Sequence, residues 1–278
     1  MAPLWTLARI VATAPRTIAP VIADGLSKHS FTGTDEPAVR RPPGAPRGSL
    51  FPRRRREAIR DDAPHTAPTI LTVPGLGGSG DEHWQTLWER ASLDIHRVEL
   101  GLWDAPDRAI WVRRLDGAIR DAGAPVVLVG HSLGCLAIAW WAVFSEGARA
   151  RPIAGALLVS PPDVDREDAA PEIAGFAPAP MTPLPFPSIM VASEDDPWIA
   201  APRARALASR WGSHFVDVGA LGHINAASGV GAWAEGRALL GRLLAAIAAG
   251  ATTPAAARAM LAAALDRPAT GGEPRAAD

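Results

Sequence analysis

The feature that most constrains the fold is a short apolar run followed at once by a glycine-flanked serine and then by a helical pattern. The run is Val126–Val129, and Ser132 stands at the centre of Gly130-His131-Ser132-Leu133-Gly134. A turn this tight strains the serine backbone, and glycines two residues to either side let strand and helix approach without Cβ clashes. The pattern predicts Ser132 as a nucleophile; the alternative is a serine that only caps a helix.

Strand and helix patterns alternate on both sides of this motif. The apolar runs are continuous rather than alternating, which is typical of a parallel sheet covered by helices on both faces. We therefore predict one doubly wound α/β domain over residues 67–250. The predicted strands are 70–73, 96–100, 126–129, 156–159, 189–192 and 215–218, and the predicted helices are 84–91, 108–122, 133–144, 201–211 and 226–249.

The two ends of the chain differ from this middle part. Residues 1–66 carry 11 Lys/Arg against 6 Asp/Glu and are rich in Pro, Gly and Arg from residue 31 onward. Such a stretch buries too little apolar surface to fold, so we predict a disordered basic extension. Its run Arg53–Arg56 is either a solvated tail or a contact for anionic lipid or nucleic acid. Residues 251–278 are predicted to be an Ala-rich tail with a short helix.

Composition excludes several classes of protein. A net charge of −1 gives no case for a nucleic-acid partner of the whole chain. No apolar run reaches the ~18–20 residues that span a bilayer, and Arg9 and Arg16 interrupt any secretory signal. The single cysteine, Cys135, excludes an intrachain disulfide and a multi-cysteine metal site. We expect a cytoplasmic protein that needs no metal or cofactor and no membrane partner.

A serine nucleophile needs a general base, and two histidines follow Ser132 in the chain. The order in α/β-hydrolases is serine, then Asp or Glu, then histidine. His223 lies in the loop between the last predicted strand and the final helix, where the base belongs, whereas His214 starts that strand, at its wrong end. We predict His223 as the base.

The acid is expected in the loop that follows the strand 189–192. Open α/β sheets place their active sites at the carboxyl ends of the strands, and this loop lies at that edge. Glu194, Asp195 and Asp196 all compete for the role. We prefer Asp196 because Asp-Pro at the loop tip is the usual arrangement of the acid in this fold, with Asp195 as the main alternative.

The glycine-rich loop Pro74–Gly80 is predicted to help stabilise an oxyanion. Two backbone N–H groups are needed; we expect Leu133 to supply one and Leu76 the other, with Gly77 second. The loop does not end in Gly-Lys-Ser/Thr, the ending of a phosphate-binding P-loop. The predicted substrate-binding residues are Gly77, His83 and Trp198, although His83 is equally well explained as a plain helix-start residue.

Taken together, these residues resemble the small serine hydrolases grouped with retinoblastoma-binding protein 9 and the bacterial YdeN-like proteins. The resemblance implies an α/β-hydrolase fold without a large cap domain and a Ser132, Asp196 and His223 triad. It is carried by the stretches 73–80, 83–85, 103–106 with Trp111, 130–134, 193–197 and 222–225. The sequence departs from the family in the basic extension, the Ala-rich tail, and Gly101-Leu102.

The expected function is hydrolysis of a small-molecule ester or other acyl substrate, including amides and thioesters, through an acyl-enzyme. The segment 161–187 occupies the usual lid position and is too short for an elaborate cap, which favours modest substrates. Two alternatives stay open. One is a catalytically silent α/β-hydrolase-fold module that binds a protein partner; the other is redox sensing at Cys135, which is otherwise a small buried packing residue.

Overall fold

The computed structural model describes residues 67–122, 125–144, 153–251 and 253–265. The predictions for the basic extension 1–66 and for the last residues of the Ala-rich tail lie outside the described residues. Among the described helices, none is long and apolar enough to cross a lipid bilayer.

In the described part of the chain, six parallel strands form one sheet. The strands are β1 (Thr69–Val73), β2 (Ile95–Arg97), β3 (Val126–His131), β4 (Ile153–Val159), β5 (Ser188–Ala192) and β6 (His214–Asp217). Their order in the sheet is β2-β1-β3-β4-β5-β6. The chain passes from β1 outward to β2 and then crosses back to β3, so the strand order reverses between β1 and β3. A reversal of this kind opens a crevice at the carboxyl ends of the strands. The parallel, doubly wound sheet predicted from the apolar runs is confirmed.

Helices cover both faces of the sheet, because successive strand side chains point to opposite sides. The described helices are α1 (Trp84–Ala91), α2 (Arg108–Asp121), α3 (Leu133–Phe144), α4 (Pro171–Ala174), α5 (Ala201–Trp211), α6 (Ala234–Ala248) and α7 (Pro254–Leu265). On β3, Val126 and Leu128 pack under α2, α3 and α5, while Val127 and Val129 pack under α1, α6 and α7.

Two predicted elements differ from the structure. The helix predicted over 226–249 is divided into a 3₁₀ turn, Ala226–Ser228, and α6. Gly229 and Gly231 separate them with φ of 69° and 55°, left-handed values that no right-handed helix contains. The strand predicted over 96–100 ends at Arg97, because a tight turn in which Leu100 N–H donates to the Val98 carbonyl diverts the chain from the sheet.

The segment 161–187 packs against the body of the domain instead of forming a separate cap. Its only helix is the four-residue α4, and Phe176, Leu184 and Phe186 are buried in the same apolar cluster as α2 and α3. At the other end of the described chain, α7 buries Ala257 and Leu261 in the cluster on the opposite face. The entrance to the crevice is therefore bounded by a short, well-packed segment.

Candidate active site

Ser132 lies in a strained turn between β3 and α3. Its φ is +52°, in the left-handed region that non-glycine residues rarely adopt. The glycines around it leave little room for a side chain: a Cβ on Gly134 would lie 2.0 Å from the Val73 carbonyl oxygen, and one on Gly130 would lie 3.2 Å from the backbone nitrogen of Cys135. The local sequence thus enforces the turn that presents the hydroxyl at the start of α3.

The hydroxyl of Ser132 is hydrogen-bonded to a histidine that comes from the far side of the sheet. His223 Nε2 lies 2.8 Å from Ser132 Oγ, and His223 Nδ1 lies 2.8 Å and 3.0 Å from the two carboxylate oxygens of Asp196. All three residues are less than a tenth exposed. The structure therefore brings together the serine, base and acid that the sequence predicted, in the order needed for proton transfer.

The acid loop gives its three carboxylates different surroundings. Asp196 is buried and also accepts a hydrogen bond from Trp198 N–H, whereas Glu194 and Asp195 are exposed. Asp195 accepts from the Ser193 hydroxyl and from Gly222 N–H, each at 2.7 Å, and these bonds lower the pKa of its carboxyl. Asp195 thus ties the acid loop to the loop that carries the base, while Asp196 faces the base itself.

Two residues that the sequence analysis did not assign hold the histidine loop in place. His131 Nε2 donates to the His223 carbonyl at 3.0 Å, and Trp84 Nε1 donates to the Ile224 carbonyl at 2.8 Å. Burial lowers the pKa of His131 well below its usual value, so the ring is neutral and donates through Nε2. Ile224, next to the base, is fixed at a left-handed φ of 47°.

The two predicted oxyanion amides lie at the start of α3 and in the glycine loop. In the described part of the chain, the N–H groups of Leu133 and Leu76 make no hydrogen bond to the protein. Gly75 brings that loop against the serine, since a Cβ there would lie 2.8 Å from Ser132 Cβ. The Gly77 amide is occupied: it donates to the Trp103 carbonyl at 2.9 Å.

A second contact to the rest of the domain fixes the glycine loop. The Ser79 hydroxyl donates to Gln85 Oε1 at 2.6 Å, and Gln85 Nε2 donates to the Val129 carbonyl at 2.9 Å. The buried Gln85 side chain therefore links the loop to the end of β3, directly before the serine turn. Only the folded structure reveals this role, because the bonds join residues 6 and 44 positions apart in the chain.

A cavity of about 150 Å³ opens beside Ser132 and His223. His83 and Trp198 line it, as predicted for substrate-binding residues. Gly77 does not line it; the neighbouring Gly78 does, because the Gly77 amide is turned toward Trp103. The remaining lining residues are Leu76, His131, Pro162, Ile173 and Asn225.

Cys135 lies one turn along α3 from Ser132 and is fully buried. Its Sγ donates to the Val159 carbonyl at 3.4 Å, and burial raises the pKa of the thiol far above its usual value. A thiol protonated at neutral pH is a poor nucleophile and a poor target for oxidants. These properties fit a packing residue, not a redox sensor.

Comparison with known proteins agrees with this site. A family model described as serine hydrolase matches residues 70–242. A crystal structure of a YdeN-like hydrolase from Pectobacterium atrosepticum shares 35% sequence identity with the chain, covers 64% of it and 91% of its own length, and superposes with a TM-score of 0.56. No curated protein sequence matches the chain.

The fold is found again at lower sequence identity. The ydeN gene product of B. subtilis is 19% identical, with 64% of this chain and 99% of that one covered and a TM-score of 0.53. The resemblance to YdeN-like proteins and the α/β-hydrolase fold without a large cap are thereby confirmed. The chain belongs to the serine hydrolase family.

Proposed function

We propose that the protein hydrolyses small uncharged esters and thioesters through an acyl-enzyme on Ser132, with His223 as general base and Asp196 as the acid that orients it. The observation that carries the proposal is the continuous pair of hydrogen bonds from Ser132 Oγ to His223 and from His223 to Asp196, each 2.8 Å long. These lengths already fall within the range required for general-base activation of a hydroxyl.

In the first half of the reaction, His223 Nε2 accepts the proton of Ser132 as Oγ attacks the carbonyl carbon. The oxyanion accepts hydrogen bonds from the Leu133 and Leu76 amides, and Asp196 stabilises the imidazolium. The bond to the leaving group then breaks, and His223 donates its proton to that group. Water repeats the sequence on the acyl-enzyme, releasing the acid and restoring Ser132.

The cavity supports the choice of substrate class. At about 150 Å³ it is smaller than the ~300–1,000 Å³ typical of sites for drug-sized ligands, which favours a short acyl group. None of the described residues lining it is Asp, Glu, Lys or Arg. An acyl group bearing a charge would lose its hydration there without gaining a partner, so an uncharged substrate is favoured.

The test compares hydrolysis of p-nitrophenyl butanoate and p-nitrophenyl dodecanoate by wild type, Ser132→Ala and Ser160→Ala. Ser160 is a matched control: it is also buried, has φ of 49° directly after β4, and its hydroxyl makes no hydrogen bond among the described residues. We expect wild type and Ser160→Ala to cleave the butanoate and to be labelled covalently by a fluorophosphonate probe, which phosphonylates a reactive serine. Ser132→Ala should not be labelled by the probe, and its kcat on the butanoate should be about 10⁶-fold below that of wild type.

The proposal has two separate points of failure. Equal probe labelling of wild type and Ser132→Ala would show that Ser132 is not the nucleophile. Cleavage of the dodecanoate as efficiently as the butanoate would overturn the small-substrate assignment while leaving the nucleophile intact. Absence of both turnover and labelling in wild type would favour the silent binding module instead.

A further inference from the structure

Among the side chains that line the cavity beside Ser132, that of His83 has a buried nitrogen, Nε2, with no hydrogen-bond partner in the described part of the chain. His83 is buried, with 4% of its surface exposed. Leaving a buried donor unpaired costs about 1–3 kcal/mol. The neighbouring His131 and His223 have their Nε2 atoms paired, so His83 stands apart within the same cavity.

The hydrogen bonding of the other ring nitrogen, Nδ1, determines whether His83 Nε2 is a donor or an acceptor. His83 is the N-cap of α1, and its Nδ1 accepts from Gln85 N–H at 3.2 Å. Burial, together with the positive charge of Arg97 and the proximity of His223, lowers the pKa of His83 to about 4. At neutral pH the ring carries one proton, and because Nδ1 is the acceptor, that proton is on Nε2. His83 is therefore an unused hydrogen-bond donor.

Packing holds this donor in place. The His83 ring meets the His131 ring edge-on, with centroids 4.6 Å apart, and the Trp84 ring lies 5.3 Å away on another side. The His131 ring is in turn 5.1 Å from that of His223. Ring contacts thus connect His83 to His223 through His131. The capping bond to Gln85 prevents the His83 ring from flipping without loss of the helix cap.

We infer that His83 is a specificity-determining residue whose Nε2–H donates a hydrogen bond to a substrate oxygen other than that of the reacting carbonyl. The reacting carbonyl already has the Leu76 and Leu133 amides. The substrates favoured are uncharged esters with an ether, hydroxyl or second carbonyl oxygen close to the scissile bond, over hydrocarbon esters of the same size. This inference rests on the proposed function.

The chemistry of the donor limits the kind of oxygen it selects. A carboxylate would need a cationic partner, and none of the described lining residues is Lys or Arg. A neutral imidazole instead matches a neutral acceptor. A site with a buried polar group discriminates against an analogue that leaves this group unpaired.

Two pairs of esters of equal size test the inference. p-Nitrophenyl methoxyacetate and p-nitrophenyl butanoate differ by one oxygen in the acyl group, and 2-methoxyethyl acetate and butyl acetate differ by one oxygen in the alcohol. The quantity measured is the ratio of kcat/KM for the oxygenated ester to kcat/KM for the hydrocarbon ester. Comparing this ratio between variants cancels the intrinsic reactivity of each ester.

Two substitutions separate the donor from the helix cap. His83→Asn places an amide near the position of Nδ1, keeping a good N-cap but leaving no donor at the position of Nε2. His83→Gln extends an amide N–H to about the position of Nε2 and gives up the cap. We expect His83→Asn to lower the ratio fivefold to tenfold for at least one pair, and His83→Gln to keep it within about twofold of wild type.

Unchanged ratios for both pairs in His83→Asn would overturn the inference. An equal loss on all four esters in both variants would also overturn it, because such a loss indicates a purely structural role. Continued Ser132-dependent hydrolysis of the hydrocarbon esters in either case leaves the proposed function standing. If wild type cleaves none of the four esters, both the proposed function and this inference fail.

Discussion

The proposed nucleophile and the proposed base of this site are positioned by different means. Ser132 is held by its immediate neighbours: a strand, a left-handed turn and a helix, with Gly130 and Gly134 allowing the close approach of the backbone. His223 lies in a loop between β6 and α6 whose place is determined by distant groups. His131 and Trp84 bind its backbone from 92 and 140 positions away in the chain.

This difference predicts how each region fails. The serine turn is limited by steric contact, so an added Cβ at Gly134 forces the backbone of β1 and α3 apart. The histidine loop depends on buried polar groups in a chain of hydrogen bonds, so it is sensitive to the loss of a partner and to protonation. The substitutions and conditions below separate these two modes, beginning with the largest expected effect.

Of the three comparisons that follow, the largest effect is expected within the acid loop. Asp196→Asn removes the charge that orients and stabilises His223, and should lower kcat on p-nitrophenyl butanoate by about 10⁴-fold. Asp195→Asn is the matched control, one residue away and exposed; its amide oxygen can still accept from Ser193 and Gly222. We expect it to retain kcat within about tenfold. A larger loss of kcat in Asp195→Asn than in Asp196→Asn would show that Asp195, and not Asp196, orients His223.

The next effect tests the steric limit of the serine turn. Gly134→Ala places a Cβ about 2.0 Å from the Val73 carbonyl oxygen, so β1 and α3 must separate. We expect the free energy of unfolding in urea to fall by about 3 kcal/mol or more. Gly241→Ala is the control: it lies on the exposed side of α6 with nothing within 4 Å of the new Cβ, and should raise stability by about 0.5–1 kcal/mol.

An unchanged unfolding midpoint in Gly134→Ala would show that α3 can move away from β1 at little cost. The glycines would then not be what enforces the turn. Failure of Gly134→Ala to fold, with Gly241→Ala fully folded, agrees with the expected result.

Acid sensitivity is the smaller effect and belongs to the histidine side of the site. His83 is neutral in the folded protein down to about pH 4 but takes up a proton near its ordinary pKa of 6.5 when unfolded. The unfolded state therefore binds more protons between about pH 6.5 and 4, and stability falls as the pH is lowered through this window. The His83 contribution amounts to about 3 kcal/mol at pH 4, and His131 acts in the same direction.

The pH dependence is checked by urea unfolding of wild type, His83→Asn and His96→Asn at several pH values between 4 and 7. His83→Asn should show a clearly shallower fall in stability toward acid. His96 is exposed on β2, and its variant should keep the wild-type slope. Equal slopes in all three proteins would contradict the buried, neutral state of His83.

Sequence alone was sufficient for the parts of the site that depend on local geometry and chain order. The glycine spacing around Ser132, the loop after β5 and the histidine after β6 all have signatures within a few residues, and the parallel sheet follows from its apolar runs. Sequence also favoured Asp196 over Asp195, and the structure shows the physical difference between them, which is burial.

What sequence could not supply depends on contacts between distant residues. His131 stands inside the serine motif, yet its bond to the His223 loop exists only once β3 and that loop meet. The unpaired nitrogen of His83 is likewise a property of the folded cavity. The break at Gly229 and Gly231 was missed because the apolar pattern continues through them, although their backbone is left-handed.

The most direct test of the central claim is a double-mutant cycle on Ser132 and His223. If the locally built serine and the remotely held histidine act as one catalytic unit, Ser132→Ala, His223→Ala and the double variant should all show the same residual kcat on p-nitrophenyl butanoate, about 10⁶-fold below wild type. Losses that add in free energy, so that the double variant is slower by the product of the single effects, would contradict the account.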